Sequence, residues 1–217
     1  MALTLVIGNK NYSSWSFRPW IGMKVAGIAF SEKLIPLYAP GSKEDILKAS
    51  PAGKVPVLID GDVAVWESLA ILDYLADKFP DAGLWPADLK ARAVARSISA
   101  EMHAGFGPLR KHCPMNLRRP PKSRGVPPDV AENVKRIDAI WSDCRARFGK
   151  GGPFLFGRFG AADAMYAPVV TRFVTYELPA SAAARDYMAA MQALPAWKEW
   201  REAGIKETWT IPGDEVD

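Results

Sequence analysis

The stretch "VPVLIDGDVAVWESLAILDYLADKF", residues 55–79, sets the frame of the chain. Its first half holds two short runs rich in β-branched residues around Asp60-Gly61. Glycine supplies the positive φ that a tight turn needs, so 55–66 reads as an antiparallel hairpin. Residues 67–79 then place apolar side chains at helical spacing and stop before Pro80, which predicts a helix.

The upstream residues complete a pattern. "LTLVIG" (3–8) reads as a buried strand. Phe17, Trp20, Ile21, Val25 and Ile28 repeat at helical spacing over 16–29. "EKLIPL" (32–37) reads as a second strand whose Pro36 favours an edge or a strand end. Residues 42–49 form a short helix ended by "SPAGK". A β-α-β unit followed by a hairpin and a last helix is a thioredoxin-like arrangement. "PDAGLWPADL" (80–89) is rich in Pro, Gly and Asp and reads as a linker. Beyond it the pattern predicts helices at 89–112, 129–148, 161–176, 181–193 and 196–204, and no strand. The expected fold is an α/β thioredoxin-like N-terminal domain (1–80), a linker (81–88) and an all-α C-terminal helical domain (89–217).

Composition bounds the function. Of 217 residues, 49% are hydrophobic and 24% charged, enough for a core without disulfide staples. The net charge of +4 is mildly basic and suits anionic small molecules better than nucleic acid. The most basic stretch, "RKHCPMNLRRPPKSRGVPPD" (110–129), lacks the interleaved aromatics of a single-strand binder. It reads as a solvated loop or as the rim of a pocket. Cys113 and Cys144 alone make neither a metal cluster nor a disulfide framework, so no metal and a reducing, cytoplasmic setting are expected. The start "MALTLVIGNK" lacks the basic region and cleavage site of a signal peptide, and no apolar run approaches a membrane span.

Three short motifs carry candidate chemistry. Ser13, Ser14 and Ser16 in "NYSSWSFRPW" (11–20) stand where the first strand gives way to the first helix. There a hydroxyl caps the helix or, with the free N–H groups and the dipole, stabilises an anion. A serine nucleophile is disfavoured, because the only histidines, His103 and His112, lie far along the chain. Val55-Pro56 opens a sheet strand with a residue that cannot donate to the ladder. A cis bond there would free the Val55 backbone to pair with an extended peptide. Glu67 and Ser68 start the third helix, where N–H groups and the dipole favour a carboxylate.

In this order on this frame, "SSWSFR", "VP" and "ES" resemble the cytosolic glutathione transferases, and the resemblance covers almost the whole chain. It is closest to the zeta-like, maleylacetoacetate isomerase-like group, which carries Ser-Ser-Cys-x-x-Arg where this chain has Ser13-Ser14-Trp15-Ser16-Phe17-Arg18. The resemblance implies glutathione as co-substrate, with Ser13 or Ser14 on its thiolate and Ser16 as a cap. It implies Trp15, Lys54, Val55 and Pro56 along the tripeptide, and Glu67 and Ser68 at its γ-glutamyl end. It also implies a structural N-capping box in "FGAADAMYAP", with Asp163 as the acid and Gly160 at the cap position. The electrophile pocket is expected from Met102, His103, Phe106 and Arg110, with Tyr166 and Phe173 as further walls. The implied activity is conjugation of glutathione to small apolar electrophiles by a homodimer. The alternatives are a glutathione-dependent isomerase of the maleylacetoacetate type, which Trp15 in place of cysteine weighs against, and a non-enzymatic glutathione binder.

Overall fold

In the computed structural model, which describes residues 2–217, the first part of the chain forms a four-stranded sheet flanked by helices. The elements are β1 (Leu3–Ile7), α1 (Ser14–Val25), β2 (Phe30–Leu34), α2 (Ser42–Ala49), β3 (Val57–Asp60), β4 (Val63–Trp66) and α3 (Ser68–Lys78). The strand order is β2-β1-β3-β4. β1 and β2 are parallel, and β3 runs antiparallel to both β1 and β4. That is the thioredoxin-like arrangement expected from the order of strands and helices along the chain.

The second strand lies two to three residues earlier than its apolar pattern suggests. Its register is set by β1, from Leu3 opposite Phe30 to Ile7 opposite Leu34. The chain then leaves the sheet, and the Leu37 N–H turns to the Asn9 side chain at 2.8 Å.

Six further α-helices follow among the described residues: α4 (Leu89–Ala104), α5 (Gly107–His112), α6 (Pro128–Phe148), α7 (Ala161–Thr175), α8 (Ala182–Ala193) and α9 (Pro195–Lys206). The continuous helix expected over 89–112 is two helices. Gly105 ends α4, Phe106 takes a left-handed conformation (φ 58°), and Pro108 starts α5 without needing a backbone donor. The break turns α5 and its Arg110 to a new direction.

Helices α1 and α7 are buried nearly all round, and α1 packs against the sheet, α3, α7 and α9. One apolar cluster therefore runs through both halves, from Leu5 and Phe17 to Tyr166 and Trp200. Gly22 permits close packing of α1 against α3 and α7, since a Cβ there would sit 2.7 Å from Leu72 and 3.6 Å from Ala164. The segment between α3 and α4 is bound into the same core: Leu84 and Trp85 are buried, and the Leu84 carbonyl accepts the Ala161 N–H at 2.7 Å.

That contact explains the glycine at the cap of α7. A Cβ on Gly160 would lie 2.7 Å from the Leu84 carbonyl, so the serine or threonine of a full capping box does not fit. Asp163 keeps the other half of the box, accepting the Gly160 N–H at 2.9 Å and the Leu155 N–H at 3.1 Å. Burial pushes its carboxyl up to about 7.

Candidate active site

Two cavities meet at Trp15 and Arg110. The first, about 260 Å³, is lined by Trp15, Ala52, Lys54, Val55, Pro56, Trp66, Glu67, Ser68, His103 and Arg110. The second, about 380 Å³, is lined by Tyr12, Ser14, Trp15, Gly107, Arg110, Lys111, Pro114, Met115, Arg172 and Asp214. A third cavity of about 450 Å³ lies elsewhere, among Leu84, Trp85, Phe148, Phe156 and Phe159 beside the start of α7. It contains none of the residues singled out by the motifs except the capping residues Gly160 and Asp163.

The first cavity gathers three separate sequence motifs. The Val55–Pro56 peptide is cis. Glu67 precedes α3 at φ 70°, a conformation that costs a non-glycine residue about 1–3 kcal/mol and that folds tend to keep where a ligand is held. Its carboxylate is half exposed and lies 3.5 Å from Nε2 of His103 on α4. The other imidazole nitrogen, Nδ1, is buried and has no hydrogen-bond partner.

Ser68 has a structural duty that its motif does not reveal. Pro19 lies inside α1 and has no N–H to offer the Trp15 carbonyl one turn back. The Ser68 hydroxyl supplies that missing donor at 2.9 Å. Its proton is thus spent on α1. The backbone N–H at the start of α3 is what remains for a bound carboxylate.

The three serines divide their work differently from the expectation. Ser13 is the N-cap of α1: its Oγ accepts the Ser16 N–H at 3.4 Å and donates to Ser16 Oγ at 2.7 Å. Ser16 is not a cap. Its Oγ accepts the Gly8 N–H at 3.0 Å and joins the helix to the end of β1. Ser14, the first residue of α1, lines the second cavity and makes no side-chain hydrogen bond among the described residues.

Trp15 stands between the cavities amid cations. The guanidinium carbon of Arg18 lies 4.0 Å from its ring centroid and that of Arg110 4.7 Å, and the His103 ring meets it edge-on at 5.2 Å. Arg18 is fully buried. Its Nε donates to the Met165 carbonyl at 2.9 Å, but Nη1 and Nη2 have no partner. Burial, then Arg172 and Arg110, hold its pKa well below the usual arginine range. Arg172, also buried, is pushed down to about 10 by burial and by Arg110.

Several expected pocket residues are core residues. Met102 is fully buried between the halves, and Phe106 joins the same cluster after the helix break. Tyr166 is fully buried, with its hydroxyl on the Ile98 carbonyl at 3.2 Å, and Phe173 packs on Trp141. Their helical spacing signalled packing, not a ligand wall. Of that set, His103 and Arg110 line these two cavities and the others do not. The second cavity is also cationic where an apolar one was expected: Arg110, Lys111 and Arg172 line it together with Asp214. Arg172 was legible as the one cation inside the apolar run 161–175.

Comparison with known proteins agrees with this geometry. Residues 12–78 match the family described as "Glutathione S-transferase, N-terminal domain", and residues 127–203 match "Glutathione S-transferase, C-terminal domain". A zeta class glutathione S-transferase of Euphorbia esula is 30% identical over 71% of this chain and 66% of its own. A "Probable maleylacetoacetate isomerase" of Caenorhabditis elegans is 38% identical over 45% of each chain. The chain thus spans about half the length of some curated relatives that it matches. A glutathione transferase homolog from Burkholderia, solved with bound glutathione, is 21% identical with a TM-score of 0.70, over 94% of this chain and 98% of that one. Both halves of the chain are accounted for by one family, and the protein belongs to the glutathione S-transferases.

Proposed function

We propose that the protein binds glutathione in the first cavity and joins its sulfur, with the tripeptide still attached, to a small electrophile held in the second. The observation that carries this reading is that the two cavities share Trp15 and Arg110, with the Val55-Pro56 and Glu67-Ser68 motifs on one side and Ser14 on the other. Val55 offers backbone groups to the cysteinyl unit, Glu67 a carboxylate to the γ-glutamyl ammonium, and the start of α3 its N–H groups to the γ-glutamyl carboxylate. Lys54 at the rim suits the glycyl carboxylate.

The chemistry begins with the thiol. A cysteine thiol titrates near 8.5 in water, so most is protonated at neutral pH. The Ser14 hydroxyl and the positive end of α1 favour the thiolate, and the nearby guanidinium of Arg110 adds to that field. The sulfur then forms a bond to the electrophilic carbon, and the leaving group departs with its electron pair. Holding the two reactants side by side supplies the rest of the acceleration.

The cationic wall favours electrophiles that carry a carboxylate. This supports a second reading, in which thiolate adds to a cis double bond of a maleyl keto acid, the bond rotates, and elimination regenerates glutathione. The name of the nematode relative points the same way. The expected setting is a cytoplasmic homodimer, as in the family, and no helix is long and apolar enough to cross a membrane among the described residues. The test is to measure glutathione affinity, then turnover with an aryl halide and with a maleyl keto acid. Absence of glutathione binding would refute both readings, and the relative turnover decides between them.

A further inference from the structure

The basic stretch after α5 is not merely solvated. It ties down the C-terminal residues 207–217. Arg118 donates to the Glu207 carbonyl at 2.7 Å and the Trp209 carbonyl at 2.9 Å, and it reaches the Glu215 carboxylate at 3.4 Å. Arg119 Nε donates to the Val216 carbonyl at 3.1 Å. The Glu207 carboxylate accepts the Lys10 and Asn11 N–H groups at 2.7 and 2.9 Å, beside the loop that carries Ser13 and Ser14. Glu215 takes the Tyr12 hydroxyl and, at 3.0 Å, the Asn116 amide. This strap delivers Asp214 to the wall of the second cavity.

Asp214 is the single carboxylate on a wall that holds Arg110, Lys111 and Arg172. Arg172 spends Nε on the Cys113 carbonyl at 2.9 Å and Nη1 on the Pro168 carbonyl at 3.1 Å, and no carboxylate lies within salt-bridge distance of it among the described residues. Behind Trp15, Arg18 is buried with two unpartnered nitrogens. Charges in such a setting interact far more strongly than in water. Burial and Arg110 dominate the surroundings of Arg172, and Asp214 offsets a part of that positive field. A bound anion would be repelled by the same carboxylate.

We infer that Asp214 sets the charge selectivity of the electrophile cavity, as a built-in carboxylate whose repulsion an anionic electrophile must overcome to settle beside Arg110 and Arg172. The inference rests on the reading that this cavity receives the electrophile. It makes the last residues of the chain a determinant of substrate choice.

Two glutathione conjugates that differ in one charge test it: S-(4-carboxy-2-nitrophenyl)glutathione and its 4-carboxamide. Their affinities are measured by titration calorimetry for the unaltered protein, Asp214→Asn and Asp214→Glu, with thermal unfolding as a control on the strap. Removing one opposing charge at this half-buried site is expected to raise the carboxylate-to-amide affinity ratio about three- to tenfold in Asp214→Asn. Asp214→Glu should stay near the unaltered ratio. An unchanged ratio in Asp214→Asn overturns the inference while leaving the glutathione reading intact. An equal rise in Asp214→Glu also overturns it, because the effect would then come from the strap's position and not its charge. If neither conjugate binds the unaltered protein, the glutathione reading fails and takes the inference with it.

Discussion

Replacing Ser13 and Ser14 separately by alanine should produce two different defects. Ser13 caps α1 and bonds Ser16, which in turn holds the Gly8 N–H at the end of β1. Its loss removes an N-cap worth about 1 kcal/mol. In a chain of this size that lowers the unfolding midpoint by roughly 2–4 °C. Ser14 holds nothing else in place among the described residues, so Ser14→Ala should leave the midpoint nearly unchanged. Its effect should fall on the thiol that Ser14 is proposed to meet. A hydrogen bond to a charged group contributes about 1.5–3 kcal/mol. At about 1.4 kcal/mol per pH unit, losing it raises the thiol pKa by roughly one to two units. The sign follows directly: the donor favours the thiolate, so its removal delays ionisation and slows the reaction near neutrality. The difference should vanish well above the shifted pKa. The assay is the thiolate absorbance of bound glutathione across pH, matched to the pH profile of kcat/KM. A Ser14→Ala profile superimposable on that of the unaltered protein would refute the assignment. So would a shift found in Ser13→Ala alone.

Glu67→Gln removes the charge proposed to meet the γ-glutamyl ammonium, and should weaken glutathione binding at least tenfold in calorimetry, as expected for a charged hydrogen bond. Trp15→Ala takes away the ring against which Arg18 and Arg110 lie, and should cost about 1–4 kcal/mol in urea unfolding at two cation–π contacts. Trp15→Phe keeps a ring there and should recover most of it. Asp163 has its carboxyl raised to about 7 in the fold, so the folded state holds a proton that the unfolded chain releases near 4. Its contribution is greatest below about 4 and is lost as pH rises toward 7, by roughly 4 kcal/mol in all. Asp163→Asn should flatten stability against pH in that window.

The N-terminal half was the more legible part of the chain. The Asp60-Gly61 turn and the alternating runs fixed the hairpin, and Val55-Pro56 and Glu67-Ser68 each reach the first cavity. What patterning hid was duty shared across long separations. Nothing local shows that Pro19 strips the Trp15 carbonyl of its donor and that Ser68 replaces it. The helix break at Phe106 was concealed because an apolar residue can reach the core from either side of a kink. Met102, Phe106 and Tyr166 share the periodicity of pocket walls, but that periodicity reports only which face is buried. The second cavity depends on Arg172 and Asp214, from α7 and the C-terminal strap, and only the fold brings them together.

The apolar cluster that runs through α1 and α7 has a consequence for how the family can diverge along this chain. A cleft that opened by swinging two lobes apart would have to tear that cluster, and with it the buried Leu84 and Trp85 of the joining segment. Variation in the interior is therefore constrained by both halves at once. The strap, by contrast, is fastened largely by part-buried polar contacts, and Asp214 lines a cavity instead of joining the apolar cluster. On the role proposed for Asp214, new substrate preferences would be most accessible to mutation there, beside an otherwise unyielding frame.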